Sequence, residues 1–186
     1  FDKVEIEPTD VSFQAAAKVA QEGRFDGFVA VGGGSTIDTA KAANLYSTYP
    51  ADFLDYVNPT IGRGKPVPGP LKPLIAIPTT AGTGSECQSY ALISDAETHV
   101  KMACGASGAA FKTVLLDPEL AASQPRGVLA ATGYDAISHS VESFVTAKRN
   151  FMSDCYAREA WRLLSGSFER LLAKPGDLDA TAAMQM

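Results

Sequence analysis

Phe28-Val-Ala-Val-Gly-Gly-Gly-Ser-Thr-Ile-Asp-Thr-Ala-Lys41 is the stretch that decides the fold. A short apolar run, read as a buried strand from about residue 25 to 31, delivers three successive glycines into a segment of helical periodicity. That segment runs from Ser35, a candidate N-cap, to about residue 46, with Ile37, Ala40, Lys41 and Leu45 at helical spacing. A strand emptying through glycines onto a helix N-terminus is an anion-binding arrangement. Glycine admits a close ligand, and the first helical N–H groups stay unsatisfied until one arrives. The pattern is neither the Gly-Lys-Ser/Thr phosphate loop nor the spaced GxGxxG of dinucleotide folds. A tight strand-to-helix turn without a ligand would also use it. Asp38, one turn into the helix, suits the helix dipole without any function. It is also a catalytic candidate, placed to lean over a cofactor towards a substrate.

Outward from this turn, residues 11–23 are Ala-rich with helical spacing, and Gly23 is a candidate C-cap. Residues 58–73 hold five prolines and three glycines and read as a loop. Residues 74–77 form a second buried strand stopped by Pro78. Residues 90–93 and 100–103 read as a hairpin, and 113–116 as another short strand. From residue 125 onward only helical patterning remains, over about 126–147, 154–173 and from 177. Alternating strands and helices followed by helices alone predict two domains with a boundary near 118–126. The first takes a parallel sheet of the nucleotide-binding sort.

Composition narrows the function classes. The chain has 186 residues, 46% hydrophobic and 20% charged, which suits a folded globular protein and not a disordered one. Sixteen Lys and Arg against 21 Asp and Glu give a net charge of −5, so no basic footprint points to nucleic acid. No window approaches the roughly 18 consecutive apolar residues of a spanning helix, and no membrane partner is expected. Three cysteines (Cys87, Cys104 and Cys155) without CxxC spacing fit a reduced, cytoplasmic protein, each thiol a buried or half-buried filler. Only two histidines occur, His99 and His139, so three imidazoles cannot meet within this chain. Trp161, in an amphipathic helix, is expected in the core. The opening on Phe1 and the helical pattern interrupted at Met186 suggest a chain truncated at both ends.

Two further constellations carry chemistry. Ile77-Pro-Thr-Thr-Ala-Gly-Thr-Gly-Ser-Glu86 follows a buried strand with hydroxyls and bare backbone, where open α/β sheets bind ligands. Ordinary loops share that composition, but two such loops after two successive strands reinforce one another. In Gly133-Tyr-Asp-Ala-Ile-Ser-His-Ser140, Asp135 and His139 are four apart and share a helix face. A carboxylate and an imidazole there suit one divalent metal, though a surface hydrogen bond is the commoner use and two donors are an incomplete site. Glu142 lies on the same face as a supporting partner. His99 reads as a solvated turn residue. Lys101, just inside a strand, either meets a cofactor phosphate or ribose or is solvated.

In order and separation, GGGSTIDTAK, IPTTAGTGSE and LDPEL…TGYDAISHSVES resemble the iron-containing (group III) alcohol dehydrogenase family over essentially the whole chain. The stretches KAANLY (41–46), DFLDYV (52–57), IGRGKPV (61–67) and PLKP (70–73) resemble its hydroxyacid–oxoacid transhydrogenase branch. The resemblance implies an α/β Rossmann-like NAD(P)-binding domain over residues 1–122. Over 123–186 it implies the start of an all-helical metal-binding domain, the pair being dehydroquinate synthase-like. It places NAD(P), with NAD the expectation, against Gly33, Gly34, Ser35, Thr79, Thr80 and Lys101. It makes Asp135 and His139 the first two of four ligands to Fe²⁺ or Zn²⁺, the other two being histidines beyond Met186.

The activity so implied is hydride transfer between an alcohol or hydroxyacid and NAD, the metal polarising the alcohol oxygen. In the transhydrogenase branch 4-hydroxybutyrate would reduce retained NAD⁺ and 2-oxoglutarate would reoxidise it. The implied assembly is a homodimer or higher homo-oligomer. It lies in the cytoplasm, or in the mitochondrial matrix for a eukaryotic source. An ordinary alcohol dehydrogenase with exchanging cofactor, and a non-catalytic nucleotide-binding module, are the competing readings.

Overall fold

The computed structural model describes residues 1–105 and 107–186. Helix α1 (Asp10–Gly23) starts on a capping box: the Thr9 side chain accepts from the Ser12 amide, and Ser12 returns the bond to the Thr9 amide. Gly23 is its last residue and not its C-cap. Arg24 is the C-cap, in the left-handed region at φ 51°. A side chain at Gly23 would meet the outer edge of the half-exposed Phe25 ring, which would have to swing aside.

Strand β1 (Phe28–Gly32) starts three residues later than its apolar run, because Asp26 and Gly27 interrupt it. It feeds α2 (Gly34–Thr48), whose N-cap is Gly33 and not Ser35. The helix winds two residues earlier because glycine bears the extended N-cap backbone as readily as serine does. Residues 50–73 make the expected loop. Within it a short 3₁₀ turn, Phe53–Asp55, is held by Asp55, which accepts from Arg63 at 2.6 Å and Lys65 at 3.0 Å.

Strand β2 (Leu74–Pro78) takes in the proline that was expected to stop it, at its last position. Its neighbours are β1 and β5 (Thr113–Val114), in the order β1-β2-β5, with β2 and β5 parallel and Ile75 opposite Thr113. The β5 strand is half the expected length. The hairpin stands apart as a second sheet: β3 (Tyr90–Ser94) and β4 (Lys101–Gly105) are antiparallel, Ser94 facing Lys101. His99 is exposed at its tip with φ 57°.

A four-residue helix, α3 (Pro118–Ala121), was absent from the sequence reading although Asp117-Pro118 is a cap followed by an N1 proline. The remaining helices are α4 (Arg126–Val145), α5 (Phe151–Ala173) and α6 (Leu178–Gln185). The α5 helix starts three residues earlier than its apolar pattern, because Asn150 and Ser153 form a capping box.

Two compact units result: residues 1–77 with 85–115, and residues 78–84 with 116–186. In the first, α1 and α2 cover a core built on Phe13, Leu45, Tyr46, Val57, Ile93 and Cys104. In the second, Ala81 joins Leu129, Leu164, Leu171, Ala180 and Met184. Two expectations fail here. Trp161 is 52% exposed, lining an open apolar groove with Val141, Phe144 and Ala157. Cys87 and Cys155 are exposed, and only Cys104 is buried filler, its thiol pushed by burial up to about 12.

Candidate functional site

The first unit carries the glycine turn. Gly32 has φ 157°, and a Cβ there would stand 2.5 Å from the Thr36 hydroxyl and 2.7 Å from its Cβ. Glycine is thus required by close packing of the turn on its own helix. No side chain caps the start of α2. The opening amides of this 15-residue helix, at Gly34 and Ser35, therefore face the turn without a side-chain acceptor, and the positive end of the helix dipole lies behind them. This donor set fits a pyrophosphate.

Around the turn lie two groups of opposite sign. Ser35 Oγ accepts the Glu7 backbone N–H at 3.3 Å, and the Glu7 carboxylate pairs with Lys101 Nζ at 3.3 Å. Both charged side chains are exposed, so the pair adds little to stability. Its value is placement: Glu7, which carries no motif, links Lys101 to Ser35 through its carboxylate and its backbone N–H. No spacing signal links residue 7 to residue 101.

Asp38 behaves differently. It is buried, its Oδ1 accepting from Lys41 Nζ at 3.1 Å and its Oδ2 from the Leu92 amide at 3.0 Å. The Ser85 hydroxyl adds a further bond. Lys41, 1% exposed, also donates to the Tyr90 carbonyl at 2.8 Å and lies 5.7 Å from the Phe111 ring centroid. Burial pushes the Asp38 carboxyl up and the Lys41 ammonium down, and each charge opposes the shift in the other. The i, i+3 spacing of Asp38 and Lys41 was the available signal for this pair.

The second unit carries the other two constellations. Thr79 and Thr80 begin the loop that follows β2, and Gly82, at φ 138°, rests on the backbone of Thr132 in α4. Ala81 is buried in the cluster with Leu129. The loop is therefore fixed to α4 within one turn of Asp135. Thr80 Oγ1 is buried and, among the described residues, has no hydrogen-bond partner. A buried hydroxyl left unpaired is costly, and a ligand oxygen would relieve it.

On α4 itself, Asp135 Oδ1 and His139 Nε2 are 3.5 Å apart, both side chains about half exposed. Among the described residues no third His, Cys, Asp or Glu joins them. The pair offers a divalent ion two donors of suitable type, one oxygen and one nitrogen, on an open face. Glu142 is exposed, and among the described residues no ion pair joins it to His139.

Comparison with known proteins adds context. The family model described as iron-containing alcohol dehydrogenase matches residues 1–118. A mitochondrial hydroxyacid–oxoacid transhydrogenase of Xenopus laevis is 44% identical over 208 aligned positions, and its Homo sapiens counterpart 43%. All of this chain is covered but only 44% of each relative, so the chain spans less than half their length. Among solved structures, sulfoacetaldehyde reductase from Bifidobacterium kashiwanohense in complex with NAD⁺ superposes with a TM-score of 0.91 at 29% identity. It covers 100% of this chain and 48% of that one. A 1,3-propanediol oxidoreductase superposes with 0.89 at 31%, covering 100% and 47%.

Proposed function

This chain belongs to the iron-containing alcohol dehydrogenase family, and from that premise we propose that the whole protein is a metal- and NAD-dependent hydroxyacid–oxoacid transhydrogenase. The observation that carries the proposal is 44% identity to such an enzyme with no part of this chain left unmatched. Its division of labour assigns residues 1–122 to a Rossmann-like NAD-binding domain and 123–186 to the start of an all-helical metal-binding domain. Gly33, Gly34 and Ser35 bind the cofactor pyrophosphate through their amides and hydroxyl. Thr79 and Thr80 line the cofactor, the orphaned Thr80 hydroxyl gaining a partner, and Lys101 meets a phosphate or ribose oxygen. Asp135 and His139 hold the metal with ligands from elsewhere in the full protein.

The chain's own work is positional. The two loops immobilise the cofactor so that substrate carbon and nicotinamide meet at reacting distance, where orientation alone is worth many powers of ten. When bound, Fe²⁺ (or Zn²⁺) supplies Lewis acidity that favours the alkoxide form of the hydroxyacid at neutral pH. NAD supplies the hydride acceptor. A hydroxyacid such as 4-hydroxybutyrate is the donor and an oxoacid such as 2-oxoglutarate the acceptor.

The names of the transhydrogenase relatives favour the mitochondrial matrix over the cytoplasm. No helix among the described residues is long and apolar enough to cross a membrane. A second reading, an ordinary alcohol dehydrogenase with exchanging cofactor, is favoured by the fold match to a 1,3-propanediol oxidoreductase.

Purified full-length protein loaded with Fe²⁺ tests both. The transhydrogenase retains NAD through desalting and oxidises 4-hydroxybutyrate only when 2-oxoglutarate is present. Turnover with added NAD⁺ and no oxoacid selects the dehydrogenase. Absence of both activities refutes the proposal.

A further inference from the structure

A chain of hydrogen bonds in the first unit starts and ends on α2. At the front of the helix, Ser35 Oγ accepts from the Glu7 amide. The next carbonyl in that segment, Pro8, accepts from the Ser94 amide at 3.0 Å, and Thr9 bridges to Ser94. Ser94 ends β3. Back along the same strand, the Leu92 amide donates to Asp38 and the Tyr90 carbonyl accepts from Lys41, both side chains returning to α2. The circuit meets α2 at Ser35, two residues past the Gly33 cap, and again at Asp38 and Lys41. Lys101 is carried on it twice, as the register partner of Ser94 and as the ion-pair partner of Glu7.

We propose that the buried Asp38–Lys41 pair is a positioning clasp that fixes the β3–β4 hairpin, and through it Lys101, against the glycine turn. Asp38 on this account does not react with substrate, because both its oxygens are committed inside the unit. Three features set the clasp apart from a generic core contact. Its acceptor and donor on β3 are main-chain groups, so any side-chain replacement along β3 leaves the need for it intact. Its two side chains are buried, whereas the Glu7–Ser35 and Glu7–Lys101 links are exposed. And α2, which it grips, is the helix whose N-terminus faces the cofactor.

The inference rests on the NAD-binding reading above. It predicts that losing the clasp weakens cofactor binding beyond its effect on folding. Removing one member of a buried pair leaves an uncompensated charge, while removing both leaves none. The informative variants in full-length protein are therefore Lys41→Met and Asp38→Asn/Lys41→Met, with NAD dissociation constants by calorimetry and melting temperatures alongside. The double variant is expected to regain most of the melting temperature lost by Lys41→Met. It is still expected to bind NAD at least tenfold more weakly than wild type.

A folded double variant binding NAD within twofold of wild type overturns the clasp and leaves the functional reading standing. Failure of the wild type to bind NAD overturns that reading and the clasp with it. If the variants do not fold, hydrogen exchange on the wild type decides. NAD is expected to slow exchange in 90–94 together with 34–38, and protection of 34–38 alone overturns the clasp.

Discussion

Gly82→Ala is the sharpest test of how the threonine loop is held. Two independent costs meet at this position. The backbone has φ 138°, a conformation that L side chains rarely adopt, and such strain costs roughly 1–3 kcal/mol. A Cβ at Gly82 would also fall inside the contact shell of the Thr132 carbonyl oxygen and lie 3.2 Å from the Thr132 Cα. The obstacle is helix backbone, which cannot swing aside as a side chain end can. Overpacking of that kind adds about 1–3 kcal/mol.

Relief requires the loop to lift from α4. That draws Ala81 out of the cluster with Leu129 and Leu164 and moves Thr80 away from its buried position. The two costs sum to roughly 2–6 kcal/mol. At roughly 2–4 °C per kcal/mol for a domain of this size, the melting temperature should fall by roughly 4–24 °C. Gly84→Ala is the control, since Gly84 also has positive φ, 61°, but nothing lies within 4 Å of its Cβ. It should lose only the strain of the left-handed region, about 1–2 kcal/mol. Calorimetric melting of both variants separates backbone strain from collision. Equal losses in the two, or a Gly82→Ala loss below that of the control, would refute the reasoning.

Leu171→Ala, which empties a side chain 1% exposed in the second unit, should cost about 2–5 kcal/mol in urea unfolding. His139→Ala should lower the iron content of purified full-length protein severalfold by elemental analysis. Its melting temperature without metal should barely move, because the side chain is half exposed and its ion pair with Asp135 is long, at 3.5 Å. Asp177 accepts from Arg170 at 2.6 and 3.0 Å and caps α6 through the Ala180 amide, and Arg170 beside it holds its carboxyl below the usual range. A carboxyl lowered in the folded state stabilises at pH above its ordinary value near 3.9 and loses that contribution as pH falls through the lowered one. The stability gap between wild type and Asp177→Asn should therefore be full at pH 6 and shrink below about pH 4, read from unfolding midpoints at each pH.

Local periodicity made most of the elements legible, and the misses share one cause. Residue preference points to Ser35 and Gly23 as caps and the apolar pattern to a start at 154, yet Gly33, Arg24 and Asn150 hold those cap positions. Preference says which residues suit a cap. It does not say which neighbour takes the cap's backbone conformation, and Arg24, not Gly23, takes the left-handed one. Pro78 was read as a terminator because it lacks an N–H, but the last residue of a strand can forgo that donor. Trp161 shows the reverse limit. Helical spacing places it on the same side of α5 as Ala157, Leu164 and Phe168, yet it lines an open groove with Val141 and Phe144 and stays half exposed.

The site divides along the same line. Gly33, Gly34, Ser35, Thr79, Thr80, Asp135 and His139 lie within short motifs, where adjacency in sequence fixes adjacency in space, so sequence alone could nominate them. Lys41 could not be nominated in this way. Its partner Asp38 is three residues distant, but the Tyr90 carbonyl that completes its shell is 49 residues away, and a carbonyl has no sequence signature. A lysine flanked by Ile37, Ala42 and Leu45 in a helix with many apolar positions is the legible part of that arrangement. Burying an ammonium without partners costs far more than one helix gains, so its position on the inward face already requires a carboxylate and further acceptors nearby. That requirement argues for reading inward-facing charges as questions about what they hold in place.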